Sequence, residues 1–232
     1  MNRYYSGFII DADNTLFDFT KSQAKAFYRT LEYADYTEDA DAALTVFRQI
    51  NHGLWKDLEK GELTPAELRV RRFRLLIEQL GVQGTAENLA ERFLEFFVES
   101  PDLFPETIDV LQKLSKSAVL VLATNGFADT QRIRIRKTKI GRFFRGIVIS
   151  EEAGTAKPDP LFYDSCFQYL PMDRKEILCV GDSLSSDIQG GINTGLSTCL
   201  FNPYKPYDPE NPIQADYRID SLNELTGFLE PE

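Results

Sequence analysis

Short, unbroken apolar runs that end in polar residues or glycine recur along this chain at wide spacing. They are Gly7–Ile10 before Asp11, Ala118–Ala123 before Thr124, Gly146–Ile149 before Ser150, and Ile177–Val180 before Gly181-Asp182. Thr198–Phe201 and Ala215–Ile219 are two further candidates. Between the later runs, apolar residues fall at helical spacing, as in Val110, Leu111 and Leu114, or Phe162, Cys166 and Leu170. Continuous apolar strands alternating with amphipathic helices predict an α/β fold, a Rossmann-like doubly wound parallel sheet covered on both faces. Arg132-Ile133-Arg134-Ile135-Arg136 alternates with the period of a strand. A parallel sheet nevertheless needs a crossover between the runs at 118 and 146, so this stretch is expected to be helical.

The interval from Phe19 to Pro101 breaks the rhythm. It holds no convincing strand but four amphipathic stretches, marked by Ala24, Phe27, Tyr28 and Leu31; Leu44, Phe47, Ile50 and Leu54; Leu68, Phe73, Leu76 and Leu80; and Leu89, Phe93 and Phe97. Four helices inserted after the first strand make a second, all-α unit over residues 19–100, with the α/β core formed by 1–18 and 101–232. Pro101 and Pro105 mark the return to the core, and Pro203, Pro206, Pro209 and Pro212 a loop between the last two strands.

Charge and composition narrow the partners. With 26 basic and 36 acidic residues the formal charge of the 232-residue chain is −10, which argues against nucleic acid and anionic membrane as partners. Arg132 to Arg145 would read as a nucleic-acid patch in isolation, but that balance and the lack of a base-reading motif speak against it. The three cysteines, Cys166, Cys179 and Cys199, form no CxxC pair, and buried free thiols in a reducing cytoplasm are the simplest reading. His52 is the only histidine, which excludes a zinc site built on histidines. No apolar run approaches the ~18 residues that span a bilayer, and the apolar run after the N-terminus is too short for a signal peptide, so a soluble cytoplasmic protein is expected. Neither G-x-G-x-x-G nor G-x-x-x-x-G-K-[ST] occurs, against a dinucleotide or ATP enzyme.

Ligands of open α/β sheets bind beyond the carboxyl ends of the strands, so the residues after each apolar run carry the candidate chemistry. These are Asp11-Ala12-Asp13-Asn14-Thr15, Thr124-Asn125-Gly126, and Gly181-Asp182 with Asp187 five residues on; Lys157-Pro158 follows the third strand. Asp11, Asp13, Asp182 and Asp187 are expected to converge at one edge. Carboxylates that close repel unless a cation is present or one is protonated, and Mg²⁺ suits such an oxygen-rich set. Taken singly each motif is weak, since aspartates at strand ends also serve turns and helix caps.

In order, Asp-x-Asp-x-Thr, the strand-end Thr, Lys-Pro and Gly-Asp-x-x-x-x-Asp resemble the haloacid dehalogenase superfamily over essentially the whole chain, the helical insert included. Thr124-Asn125-Gly126-Phe127, Ile149-Ser150-Glu151-Glu152, Asn51-His52-Gly53-Leu54-Trp55 and Lys60-Gly61 resemble its house-cleaning pyrimidine 5′-nucleotidase subgroup. Many superfamily members have glycine where this chain has Asn14. The resemblance implies Asp11 as nucleophile, forming an aspartyl-phosphate, and Asp13 as general acid and then base. It implies Mg²⁺ held by Asp11, the backbone carbonyl of Asp13, and Asp182, with Asp187 in support. Thr124, Asn125, Gly126 and Lys157 would hold the phosphate, with Thr124 and Lys157 also counted as catalytic. The insert would be a cap whose loop around Glu59–Thr64 approaches the site. Trp55 reads either as a substrate contact or as cap core, and His52 as a contact or a partly exposed residue. Arg69, Arg71, Arg72 and Arg74 read as a solvated helix face. The substrate implied is a small phosphate monoester, most specifically a pyrimidine nucleoside 5′-monophosphate. A phosphosugar phosphatase, a phosphomutase and a non-catalytic phospho-ligand binder are the alternatives. Dehalogenases of the family lack an acid at position 13, because a halide needs no proton to leave.

Overall fold

The computed structural model describes residues 4–99, 101–203 and 208–230. Six parallel strands form one sheet: β1 (Gly7–Asp11), β2 (Val119–Thr124), β3 (Gly146–Ile149), β4 (Ile177–Gly181), β5 (Ser197–Phe201) and β6 (Tyr217–Ile219). Their order is β3-β2-β1-β4-β5-β6, so the direction of winding reverses between β1 and β4. That reversal opens a crevice at the carboxyl end of β1, the usual ligand position in such sheets. The register is Asp11 beside Ala123 on β2 and Ile10 beside Val180 on β4. Thr124 and Gly181 therefore end their strands on either side of Asp11.

Strand side chains alternate between faces, which splits the core in two. Phe8 and Ile10 of β1, with Leu120, Leu122, Leu178 and Val180, pack with Val110, Leu111 and Leu114 of a helix over Thr107–Ser117. Ile9, Val121, Ala123 and Cys179 pack with Phe162, Tyr163 and Cys166 of a helix over Pro160–Phe167. All three cysteines are buried and free, and burial pushes the Cys166 and Cys199 thiols up to about 12, so they remain protonated packing groups.

The helices, in chain order, are α1 (Phe19–Tyr33), α2 (Ala40–Glu59), α3 (Pro65–Leu80), α4 (Ala86–Glu99), α5 (Thr107–Ser117), α6 (Ala128–Thr138), α7 (Ser150–Ala153), α8 (Pro160–Phe167) and α9 (Gln189–Asn193). The Arg-Ile alternation indeed lies in a helix, α6. The last strand starts at Tyr217 rather than Ala215, because the Asp216 carboxylate accepts the Thr198 N–H at 2.8 Å and its hydroxyl at 3.1 Å in place of ladder pairing. Of the four loop prolines, Pro206 lies outside the described residues.

The chain divides into two compact units, residues 1–18 with 102–232, and residues 19–101. In the first, the backbone N–H of Asp18 donates to the Asp102 carbonyl at 3.1 Å, so the insert departs and returns at adjacent points. In the second, α1 to α4 surround a phenylalanine cluster in which the Phe47 ring meets Phe27 at 4.6 Å, Phe73 at 5.3 Å and Phe93 at 5.4 Å between centroids. Arg72 departs from the solvated face expected of its cluster. It is buried against Phe47, Phe73 and Phe93, with its guanidinium 4.6 Å from the Phe93 ring centre and a hydrogen bond to Asn51. Ring faces that attract cations explain how a charge can be held there. Burial, with Arg69 nearby, pushes its pKa down to about 9.

Truncating Phe47 opens a cavity where four rings meet. Phe47→Ala should cost about 3–5 kcal/mol in urea denaturation, whereas Leu161→Ala, at an exposed position, should stay within about 0.5 kcal/mol.

Candidate active site

Asp11 ends β1 buried to all but 7% of its surface. Its Oδ1 accepts a hydrogen bond from Lys157 Nζ at 2.6 Å, and its Oδ2 one from the Thr15 hydroxyl at 3.0 Å. Thr15 can reach back because the loop after β1 turns sharply. The N–H groups of Leu16 and Phe17 both donate to the Ala12 carbonyl, and Asn14 takes a left-handed backbone with φ of +59°. Asparagine tolerates that conformation better than most residues with a Cβ, which accounts for its standing where many superfamily members have glycine.

The Lys157 ammonium also donates to Asp187 Oδ1 at 2.7 Å and to the Ala123 carbonyl at 3.0 Å. Three acceptors around a group that is 3% exposed give a buried cation all of its hydrogen bonds. Burial alone would lower its pKa; the two carboxylates outweigh burial and hold it above the usual lysine range. For Asp11 the balance runs the other way. Burial pushes its carboxyl up to about 7 against the pull of Lys157, and Asp187 and Asp13 add to the rise.

Asp187 reaches this point from a helical turn over Leu184–Ile188, where its Oδ2 accepts the Ser183 N–H at 3.0 Å. A glycine at 181 is what admits it. A Cβ at that position would lie 2.2 Å from the Asp187 carboxyl carbon. Asp11, Asp182 and Asp187 offer carboxylate oxygens that all lie within 4.8 Å of one another. Three carboxylates beside one ammonium leave excess negative charge, and these hard oxygen donors are the type that magnesium prefers.

Asp13 is not in that group of three. Its Oδ1 accepts from Arg134 Nη1 at 2.5 Å and its Oδ2 from Gln131 Nε2 at 2.6 Å, both on α6. Asp13 stands near enough to raise Asp11, but its oxygens are taken by donors on α6 and do not join the group of three. The side chain of Asn125 has a role that a phosphate contact through backbone amides left open. Its amide donates to the Lys157 carbonyl and accepts the Lys157 N–H, each at 2.9 Å, and so fixes the loop that carries the lysine. The Gly126 N–H donates to Thr124 Oγ1 at 3.1 Å, and Gln131 Nε2 donates to the same oxygen at 2.9 Å. With both acceptor positions of the Thr124 hydroxyl filled, its proton remains to be donated. Trp55 stands half-buried and His52 exposed on α2, in the helical unit.

Gln131 and Arg134 are missing from the sequence-based set. The only signal was the contradiction between a strand-like Arg-Ile alternation and the helix that topology demands. In that helix Arg132 faces outward to Glu152, with contacts of 3.0 and 2.5 Å, while Arg134 is 1% exposed.

The chain and its fold have counterparts among known proteins. A family profile described as haloacid dehalogenase-like hydrolase matches residues 5–195. YfnB of Bacillus subtilis, described as a HAD-hydrolase, is 34% identical over 100% of this chain and 98% of its own length. Its crystal structure, bound to magnesium, superposes with a TM-score of 0.87 at 32% identity, covering 99% of this chain and 100% of that one. The pyrimidine 5′-nucleotidase YjjG of Escherichia coli is 33% identical over 94% of this chain and 95% of its own. The pyrimidine 5′-nucleotidase PynA of Streptococcus pneumoniae is 30% identical over 98% and 96%.

Removing the buried ammonium leaves Asp11 and Asp187 facing each other with no cation between them. Lys157→Met should lose about 3–5 kcal/mol in urea denaturation without divalent ions. The Asp11 carboxyl, raised in the folded state to about 7, contributes stability that is lost as pH climbs through that value. The deficit should therefore be larger at about pH 7 than at about pH 4.

Proposed function

The chain belongs to the haloacid dehalogenase-like hydrolases, and on that premise we propose that it is a magnesium-dependent phosphatase of small phosphate monoesters, acting on pyrimidine nucleoside 5′-monophosphates. The observation that carries this reading is the Lys157 ammonium shared between Asp11 and Asp187, with Asp182 beside them at the switch point of the sheet. A nucleophilic carboxylate next to an anionic phosphoryl group needs local positive charge in a chain of net charge −10. The lysine supplies part of it.

Asp11, Asp182 and the Asp13 carbonyl would hold magnesium, and Asp187 would fix the lysine. When bound, magnesium neutralises charge on the carboxylates and on the phosphoryl oxygens. Asp11 attacks phosphorus, forming an aspartyl-phosphate as the bond from phosphorus to the leaving oxygen breaks. Asp13 gives its proton to that oxygen, and an alcohol leaves. Water then attacks the phosphorus, Asp13 takes up its proton, and the bond from phosphorus to Asp11 breaks to release inorganic phosphate. Lys157 and the Thr124 hydroxyl stabilise the equatorial oxygens as charge builds on them.

The acid at position 13 supports an alcohol over a halide as leaving group. The similarity to YjjG and PynA, both pyrimidine 5′-nucleotidases, supports a pyrimidine nucleotide as substrate. The net charge of −10 supports a free small molecule as substrate over nucleic acid or an anionic membrane. No helix among the described residues is long and apolar enough to cross one.

A phosphate-release screen with Mg²⁺ should place UMP, dUMP and dTMP above purine nucleotides and sugar phosphates. Preference for a sugar phosphate would replace the substrate and keep the chemistry. Asp11→Asn should abolish turnover while phosphate binding remains measurable by calorimetry; turnover at the wild-type rate would refute the nucleophile.

A further inference from the structure

α6 begins four residues after β2 ends and places Gln131 and Arg134 three positions apart, on one face of the helix. Arg134 is among the largest fully buried side chains in the protein, and its guanidinium carbon lies 4.1 Å from the centre of the Phe17 ring. From there Nη1 donates to Asp13 Oδ1 and, at 3.1 Å, to Gln131 Oε1. That second bond sets which end of the Gln131 amide carries the donors. Nε2 is turned toward Asp13 Oδ2 and also toward Thr124 Oγ1. Space for it depends on Gly126, since a Cβ there would come within 2.3 Å of Nε2.

An ion pair serving stability alone does not require this arrangement. Burying a guanidinium is costly, and a salt bridge serving only to neutralise it could end on any carboxylate. Here it ends on the carboxylate two residues from Asp11. A second donor fixes the other oxygen of that carboxylate and ties it to the strand-end threonine. A carboxylate has about four acceptor positions, of which these donors use two. The Asp13 side chain keeps 25% of its surface accessible. It is held without being enclosed.

We propose that Arg134 and Gln131 are positioning residues for Asp13. They orient its carboxyl group so that one oxygen serves the leaving alcohol and then the attacking water, with Gln131 referring that orientation to Thr124. The inference rests on the phosphatase reading above. The proton passes from Asp13 to the leaving oxygen and returns from water, and neither α6 residue exchanges one.

The test separates leaving groups that need a proton from those that do not. Arg134→Met and Gln131→Met should each lower kcat/KM for UMP, whose leaving alkoxide must be protonated, by about 10–100-fold. With p-nitrophenyl phosphate, whose phenolate departs unprotonated, kcat/KM, which reports the steps through aspartyl-phosphate formation and not its hydrolysis, should fall less than about threefold. Arg134→Lys should recover part of the UMP rate. Equal losses on both substrates, or no loss on either, would overturn the proposal. If Arg134→Met does not fold, as judged by its thermal transition, Gln131→Met and Arg134→Lys give the same contrast. A wild-type enzyme inactive on every phosphate ester would defeat the phosphatase reading and this inference with it. An active enzyme whose variants keep the wild-type dependence on leaving group defeats the inference alone.

Discussion

The ammonium of Lys157 is the contact on which the candidate site depends. It touches the end of β1 through Asp11, the end of β2 through the Ala123 carbonyl, and the turn after β4 through Asp187. Strands pair by backbone hydrogen bonds that do not require any particular side chain at their ends. One buried charge with three acceptors on three segments therefore does what the sheet alone cannot. It fixes the carboxyl ends relative to one another at the scale of a hydrogen bond. Asn125 completes the arrangement by holding the Lys157 backbone from both sides.

Two polar networks thus flank the first strand, and they differ in kind. On one side a lysine and two carboxylates stand near a third, with negative charge in excess. On the other, an arginine and a glutamine hold a single carboxylate, and the count of charges balances. Asp11 and Asp13 are two residues apart yet answer to different partners, one in a lysine-centred cluster and one on a helix. Sites that divide nucleophilic from acid–base work between two carboxylates need their environments to differ. Here the difference is built by the elements that lie next to β1.

The alternation of apolar runs with helical segments made the parallel sheet legible, and topology then located Asp11, Thr124, Asp182 and Asp187 at one edge before any contact was known. Lys157 was legible as the only basic residue between the third strand and α8. What stayed hidden was the burial of cations. Arg72 stands in a stretch that reads as a solvated face and Arg134 in one that reads as a basic patch, yet both are buried over aromatic rings. Local sequence records charge but not which neighbour will cover it. The partner of Arg134 lies 121 residues away along the chain, beyond the reach of any periodicity. For the same reason the side-chain role of Asn125 was not legible: its amide pairs with a loop 32 residues on.

Gly126 and Gly181 carry no functional group, and neither takes a left-handed backbone. Each is needed for the volume it leaves empty, filled in one case by the Gln131 amide and in the other by the Asp187 carboxyl group. The two positions act as a mould for polar groups cast from elsewhere in the chain. A variant at either residue is thus better classed as an active-site lesion than as a loop polymorphism. The functional footprint of the protein extends to residues that would be overlooked by any survey restricted to side chains with reactive atoms.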